Sequence, residues 1–216
     1  MEDYSSSIFK KGFFVLSNLG IIYTHKLFLK NIFSIEHFYI VLGNISSLKP
    51  PQIAQNNCTI KKVVDSDWDE ILNNLKSLDP ASRKEILVRL FFYQAGFKNC
   101  YIARTKTGEI AGMQWLIYPS ENSIISQHFN TRFYPLKKKQ VMFENVYIFP
   151  NMRGIGYLPA MTAELLRIAK EDGFKTVIYY VSKDKIAPLN VFLGCGCKIR
   201  KMMVETKILG RTKRKL

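Results

Sequence analysis

The chain has 216 residues, enough for one medium domain with an extension and a sizeable core, and 47% of them are hydrophobic, ordinary for a globular protein. Its net charge of +15 is not ordinary and favours polyanionic partners: coenzyme A, an acidic carrier protein, nucleotide sugars, nucleic acid or an anionic membrane. The four cysteines (Cys58, Cys100, Cys195, Cys197) have neither a disulfide framework's spacing nor nearby histidines, so no metal site is expected and a reduced, cytoplasmic chain is.

The start is acidic and serine-rich, unlike a cleavable signal, and the apolar run 13–23 is interrupted by Ser17, Asn18 and Gly20. Residues 1–45 read as an extension with a helix from about Ile8, a second helical piece over 23–33 and a strand over 37–42. Its aromatic residues alternate with Lys10, Lys11, Lys26 and Lys30. Such a segment can lie on an anionic membrane surface, placing the chain at the inner membrane face, or pack on the main domain or a second copy in a homodimer. The polar, proline-containing stretch 46–57 reads as a linker.

The main domain is expected over 58–209. A strand over 58–64 leads to a helix over 68–78, with Asp65 or Ser66 as its N-cap. Asp79-Pro80 starts a helix over 81–95 that Gly96 ends. Residues 101–105 and 110–118 flank a glycine-containing turn and predict a hairpin; 124–129 predicts a further short strand. The last residues, 210–216, read as a solvated basic tail. No nucleic-acid-binding motif accompanies that charge, so nucleic acid is not an expected partner.

The most informative stretch is 143–174. Residues 144–149 are rich in β-branched and aromatic residues and stop at Pro150, as a strand would. Arg153-Gly154-Ile155-Gly156 follows, then a helical pattern over 157–170 with Gly173 at its stop. A glycine turn opening a helix exposes main-chain N–H groups at the positive end of the helix dipole, which suits phosphate. The two commonest phosphate loops are absent, since there is no GxxxxGK[ST] and Pro159 breaks GxGxxG.

The turn resembles the acetyl-CoA motif of the GNAT superfamily of N-acetyltransferases. Arg153 takes that motif's first position and Gly156 its fourth, and Gly154 completes an RG pair common there. The likeness continues in register through Ala169 and Gly173-Phe174, the strand pattern 176–182 and the segment 183–199. The resemblance implies an α/β (α+β) fold, with a mixed, mostly antiparallel central sheet flanked by helices. It also implies acetyl-CoA as acyl donor and a small primary amine, such as an amino sugar, as acceptor. By the same resemblance the donor is held by the main chain of Val146, Tyr147 and Ile148, by Arg153, Gly154, Ile155, Gly156, Tyr157 and Leu158, and by the region of Lys185 and Phe192. Glu144 matches a glutamate that many relatives carry on this strand and is the candidate general base. Three positions depart from the pattern. Leu158 stands where glycine or alanine is usual, Lys185 replaces an asparagine, and Phe192 replaces a tyrosine that serves as acid. Phenylalanine donates no proton, so another group must supply it. An acidic acyl carrier protein as donor, or a binding module without turnover, are the alternatives. His25, His37 and His128 fall outside the motif and are expected to be non-catalytic.

Overall fold

A computed structural model of the chain describes residues 16–19, 33–51, 58–129, 135–209 and 211–215. The helices expected from Ile8 and over most of 23–33 lie outside these residues, as do His25, the His128 side chain and the segment 52–57 of the expected linker. No helix among the described residues is long and apolar enough to cross a membrane.

The strands are β1 (Phe33–Asn44), β2 (Cys58–Lys62), β3 (Cys100–Thr105), β4 (Ile110–Ile117), β5 (Gln140–Ile148), β6 (Thr176–Ser182), β7 (Lys198–Ile208) and β8 (Arg211–Lys215). Among the described residues the helices are α1 (Asp65–Asn73), α2 (Pro80–Gln94), α3 (Asn122–Phe129), α4 (Tyr157–Glu171) and α5 (Ile186–Gly194), and 16–19 is also helical. All eight strands form one sheet in the order β2-β3-β4-β5-β6-β1-β7-β8. Among the described residues only β5 and β6 run parallel, and α4 connects them, as a parallel pair requires.

Strand alternation divides the core between the two faces. Trp68, Ile86, Leu90, Phe97, Met113 and Trp115 pack together on the α1–α2 face. Leu116, Val141, Phe143, Leu165, Tyr179 and Phe192 pack on the α4–α5 face. Each such side chain contributes about 1.5–3 kcal/mol through burial. The α2 start follows from its residues, because the Asp79 carboxylate accepts the N–H groups of Ala81 (2.9 Å) and Ser82 (3.1 Å), with Pro80 at the first position.

Four local expectations need correction. Residues 124–129 belong to helix α3, not a strand. Its start is fixed by Glu121, which accepts the Tyr118 N–H at 2.8 Å, and by Asn122, whose side chain bonds both main-chain groups of Leu136. The helix expected over 68–78 begins at Asp65 and ends at Asn73, with a 3-10 turn over Leu75–Ser77. Val64 is its N-cap rather than Asp65 or Ser66, and the Asp67 carboxylate accepts the Val64 N–H at 2.9 Å. The basic end is not a free tail through 211–215. It forms β8, where Arg214 and Glu205 make a buried ion pair at 2.7 Å across to β7.

The strand expected over 37–42 is part of β1, which lies inside the sheet with antiparallel partners β6 and β7 on its two sides. The chain then turns at Ile45–Ser47, and Lys49 donates to the Cys195 carbonyl at 2.9 Å.

Candidate functional site

The site begins with a fault in a strand pair. β5 and β6 are in register from Gln140 opposite Thr176 to Phe143 opposite Tyr179 and pair no further. Past that point β5 stays with β4, while β6 stays with β1 as far as Ser182 opposite Phe38. The divergence starts at a bulge, where Asn145 and Val146 together face Gln114, and Asn145 takes a left-handed φ of 57°. Asparagine tolerates that conformation better than most residues. Gly112 is required beside it, because a Cβ there would stand 2.6 Å from the Tyr147 carbonyl oxygen and 2.5 Å from Ile148 Cδ1.

Between the parted strands lies a cleft of about 1120 Å³. Its floor carries the second feature. A 3-10 turn over Pro150–Met152 ends at Arg153, and the chain then passes through Gly154 (φ 79°) and Gly156 (φ 103°) into α4. These left-handed angles are open to glycine at little cost. Ala160 makes the first bond of the helix, to the Gly156 carbonyl at 3.1 Å. Pro159 has no N–H, so the N–H groups of Tyr157 and Leu158 form the open, positive end of α4. That end opens on the cleft.

Glu144, Val146, Tyr147, Ile148, Arg153, Gly154, Gly156, Tyr157, Leu158, Lys185 and Phe192 all line this one cleft. Ile155 does not, and is 56% exposed on the outer side of the turn. The main-chain groups of 146–148 are not equivalent. Phe149 N–H donates to the Ala111 carbonyl at 3.0 Å, so alternation turns the Tyr147 main chain toward β4 and that of Ile148 toward the cleft. The Ile148 carbonyl accepts from Arg153 Nε at 3.2 Å, as that orientation requires. Lys185 precedes α5 as its N-cap. Phe192 is buried and stacks on Tyr179 at 3.7 Å between ring centroids. Burial pushes the Tyr179 hydroxyl well above its ordinary range and pushes the neighbouring Cys197 thiol up to about 12. His37 lies in β1, away from the cleft lining.

The structure adds residues that motif reading missed. Arg89 of α2 lies in the cleft wall and is almost fully buried. Its Nε donates to the Asn145 carbonyl at 2.9 Å and its Nη2 to the Val146 carbonyl at 2.8 Å. Its Nη1 donates to the Glu85 carbonyl and carboxylate, both at 2.8 Å. Burial pulls this guanidinium below its usual range, and Glu85 offsets part of that. Burial alone would raise the Glu85 carboxyl, yet the Arg89 charge outweighs it and holds Glu85 low. One sequence signal was available: Arg89 sits on the helix face carrying Ile86, Leu90 and Tyr93, where a cation needs a buried partner. Gln114 and Tyr147 also line the cleft, and the Gln114 side-chain oxygen and the Tyr147 hydroxyl are buried there without a hydrogen-bond partner. Unpartnered buried polar atoms of this kind are costly, and a bound polar ligand would relieve them.

No protein-family model matches the sequence, and no curated protein matches it. Solved structures do match. One is a GCN5-related glucosamine N-acetyltransferase region of a fungal multi-domain β-N-acetylglucosaminidase, 14% identical with a TM-score of 0.59 over 83% of this chain and 22% of that one. A GCN5-related N-acetyltransferase from Sphaerobacter thermophilus is 12% identical, with a TM-score of 0.53 over 90% of this chain and 56% of its own. A GNAT-family acetyltransferase from Colwellia psychrerythraea is 11% identical, with a TM-score of 0.54 over 94% of this chain and 74% of that one. The chain thus spans less than two thirds of the first two. At such identities the likeness is one of architecture, and the chain has the fold of the GCN5-related N-acetyltransferases.

Proposed function

We propose that the chain is an acyl-CoA-dependent N-acyltransferase that moves the acetyl group of acetyl-CoA to a primary amine of a small molecule, such as an amino sugar. The observation that carries this reading is the splayed β5–β6 pair opening over a left-handed glycine turn at the start of α4. The turn and the free end of α4 supply N–H donors for the donor's pyrophosphate, with Arg153 close enough to swing onto it. The Ile148 N–H donates to the thioester carbonyl oxygen as negative charge develops there, a role its cleft-facing main chain supports. Glu144 takes a proton from the acceptor ammonium, directly or through water. The amine nitrogen then bonds the acyl carbon, the carbon–sulfur bond breaks and the electron pair leaves on sulfur, while the nitrogen's second proton is lost to replace the one that a hydroxyl donor gives to the thiolate. Phe192 cannot protonate that sulfur; Tyr147, Tyr179 and Tyr180 line the same cleft, and the buried, unpartnered hydroxyls of Tyr147 and Tyr179 are the candidate donors. The name of the fungal match agrees with an amino-sugar acceptor.

The net charge of +15 favours a second reading, in which an acidic acyl carrier protein is the donor. The two separate in one assay. Acetyl transfer from acetyl-CoA to a panel of amino sugars and other small amines supports the first reading. Transfer only from acyl carrier protein, unaffected by free CoA, supports the second. Tight CoA binding with no transfer to any amine would mark a binding module and reject both.

A further inference from the structure

We propose that Arg89 is a positioning residue whose guanidinium locks the β5 bulge and so holds the parted half of β5 at the angle the cleft requires. This rests on the acyltransferase reading for its consequence, but its observations are independent of the motif. In a regular strand successive carbonyls point to opposite sides and each finds a partner in the ladder. The bulge removes Asn145 and Val146 from the β4 ladder, and both carbonyls point to the same guanidinium, at 2.9 Å and 2.8 Å. Two buried carbonyls without partners would otherwise drive the strand back toward regular pairing. Arg89 also covers the Tyr147 ring, with its guanidinium carbon 4.8 Å from the ring centroid.

Its role is that of a strut rather than a ligand. Of the five N–H groups of a guanidinium, four are spent on the Asn145, Val146 and Glu85 carbonyls and the Glu85 carboxylate. The planar fork is what reaches two successive carbonyls. Lysine has the charge but not the fork. Glu85 meets only Nη1, the side away from β5, so it balances the charge without touching the bulge.

The test compares wild type, Arg89→Lys and Glu85→Gln by difference infrared spectroscopy of bound [1-13C]acetyl-CoA, beside calorimetric Kd values for CoA. A main-chain donor on β5 shifts the thioester carbonyl band of the bound ligand down. In Arg89→Lys the band should return toward its free position while the CoA Kd stays within about twofold, because the phosphate turn is separate. Glu85→Gln should keep the wild-type band. An unchanged band in Arg89→Lys, or equal loss in Glu85→Gln, overturns the proposal. Should Arg89→Lys fail to fold, hydrogen exchange at Arg89 Nε in the wild-type chain decides the matter. Exchange much slower than at the exposed Arg200 supports the fork, and exchange as fast overturns it. A wild-type chain that binds neither ligand removes the acyltransferase reading and the positioning role with it, while the exchange measurement still reports whether the fork exists.

Discussion

Single residues set the chemistry that this cleft can support. Glu144 is the one carboxylate on the parted half of β5 that lines it. Glu144→Gln is expected to lower kcat by about a hundredfold or more while leaving the acetyl-CoA Kd nearly unchanged, which steady-state kinetics and calorimetry together would show. Asp67 is a structural carboxylate, with a side chain only 2% exposed and bonds to Arg104 at 2.6 Å and Lys61 at 3.2 Å. Burial would raise its carboxyl, but Arg104, the Val64 N–H and Lys61 outweigh that and hold it below the usual range. A lowered carboxyl stabilises the fold above its unfolded value of about 3.9, and that stability is lost as pH falls through the folded value. Denaturant unfolding between pH 6 and pH 3 should therefore show a loss of stability on acidification that is smaller in Asp67→Asn.

At the scale of elements, the bulge between β4 and β5 decides whether there is a cleft at all. Gly112→Ala would press a methyl group against the Tyr147 carbonyl, so the strand must shift or unpair. We expect a cost of about 1–3 kcal/mol in denaturant unfolding, with weakened acetyl-CoA binding. Much at this scale was legible. β6 occupies the predicted 176–182, and α4 overruns the predicted 157–170 by one residue, because alternation and the Gly156 and Gly173 boundaries are local signals. The bulge was not legible, since it depends on Arg89, 56 residues before Asn145, and on the absence of a Cβ at Gly112. Helix α3 was missed because its β-branched Ile124 and Ile125 suggested a strand, while the bonds from Glu121 and Asn122 that fix its start are tertiary. β8 was missed because RTKRK has no apolar alternation; its pairing is made by main chain and by the Arg214–Glu205 ion pair.

For the whole molecule, the sheet order carries information that no local pattern contains. β1 was recognised as a strand, but its place between β6 and β7 follows from pairing across the chain. Its removal would cut the β7–β8 pair off from the rest of the sheet and leave one side of β6 unpaired, and a cut after residue 45 also takes Val41 and Ile45 from the core on the α4–α5 face. A fragment spanning 46–216 should therefore fail to give a cooperative unfolding transition, whereas one lacking only 211–216 should keep it, since β8 is an edge strand. The cleft lining was legible where the chain is contiguous, at Arg153, Gly154 and Gly156 to Leu158, and hidden where α2 reaches across to β5.

The most direct test of the acyltransferase account is calorimetric titration of the purified chain with acetyl-CoA and with CoA, beside an Arg153→Ala/Gly156→Glu double variant. A glutamate at φ 103° would strain the turn and place a negative charge beside the proposed pyrophosphate site. The account predicts micromolar binding of both ligands to the wild-type chain and none to the variant. No heat from either ligand with a folded wild-type chain would contradict it.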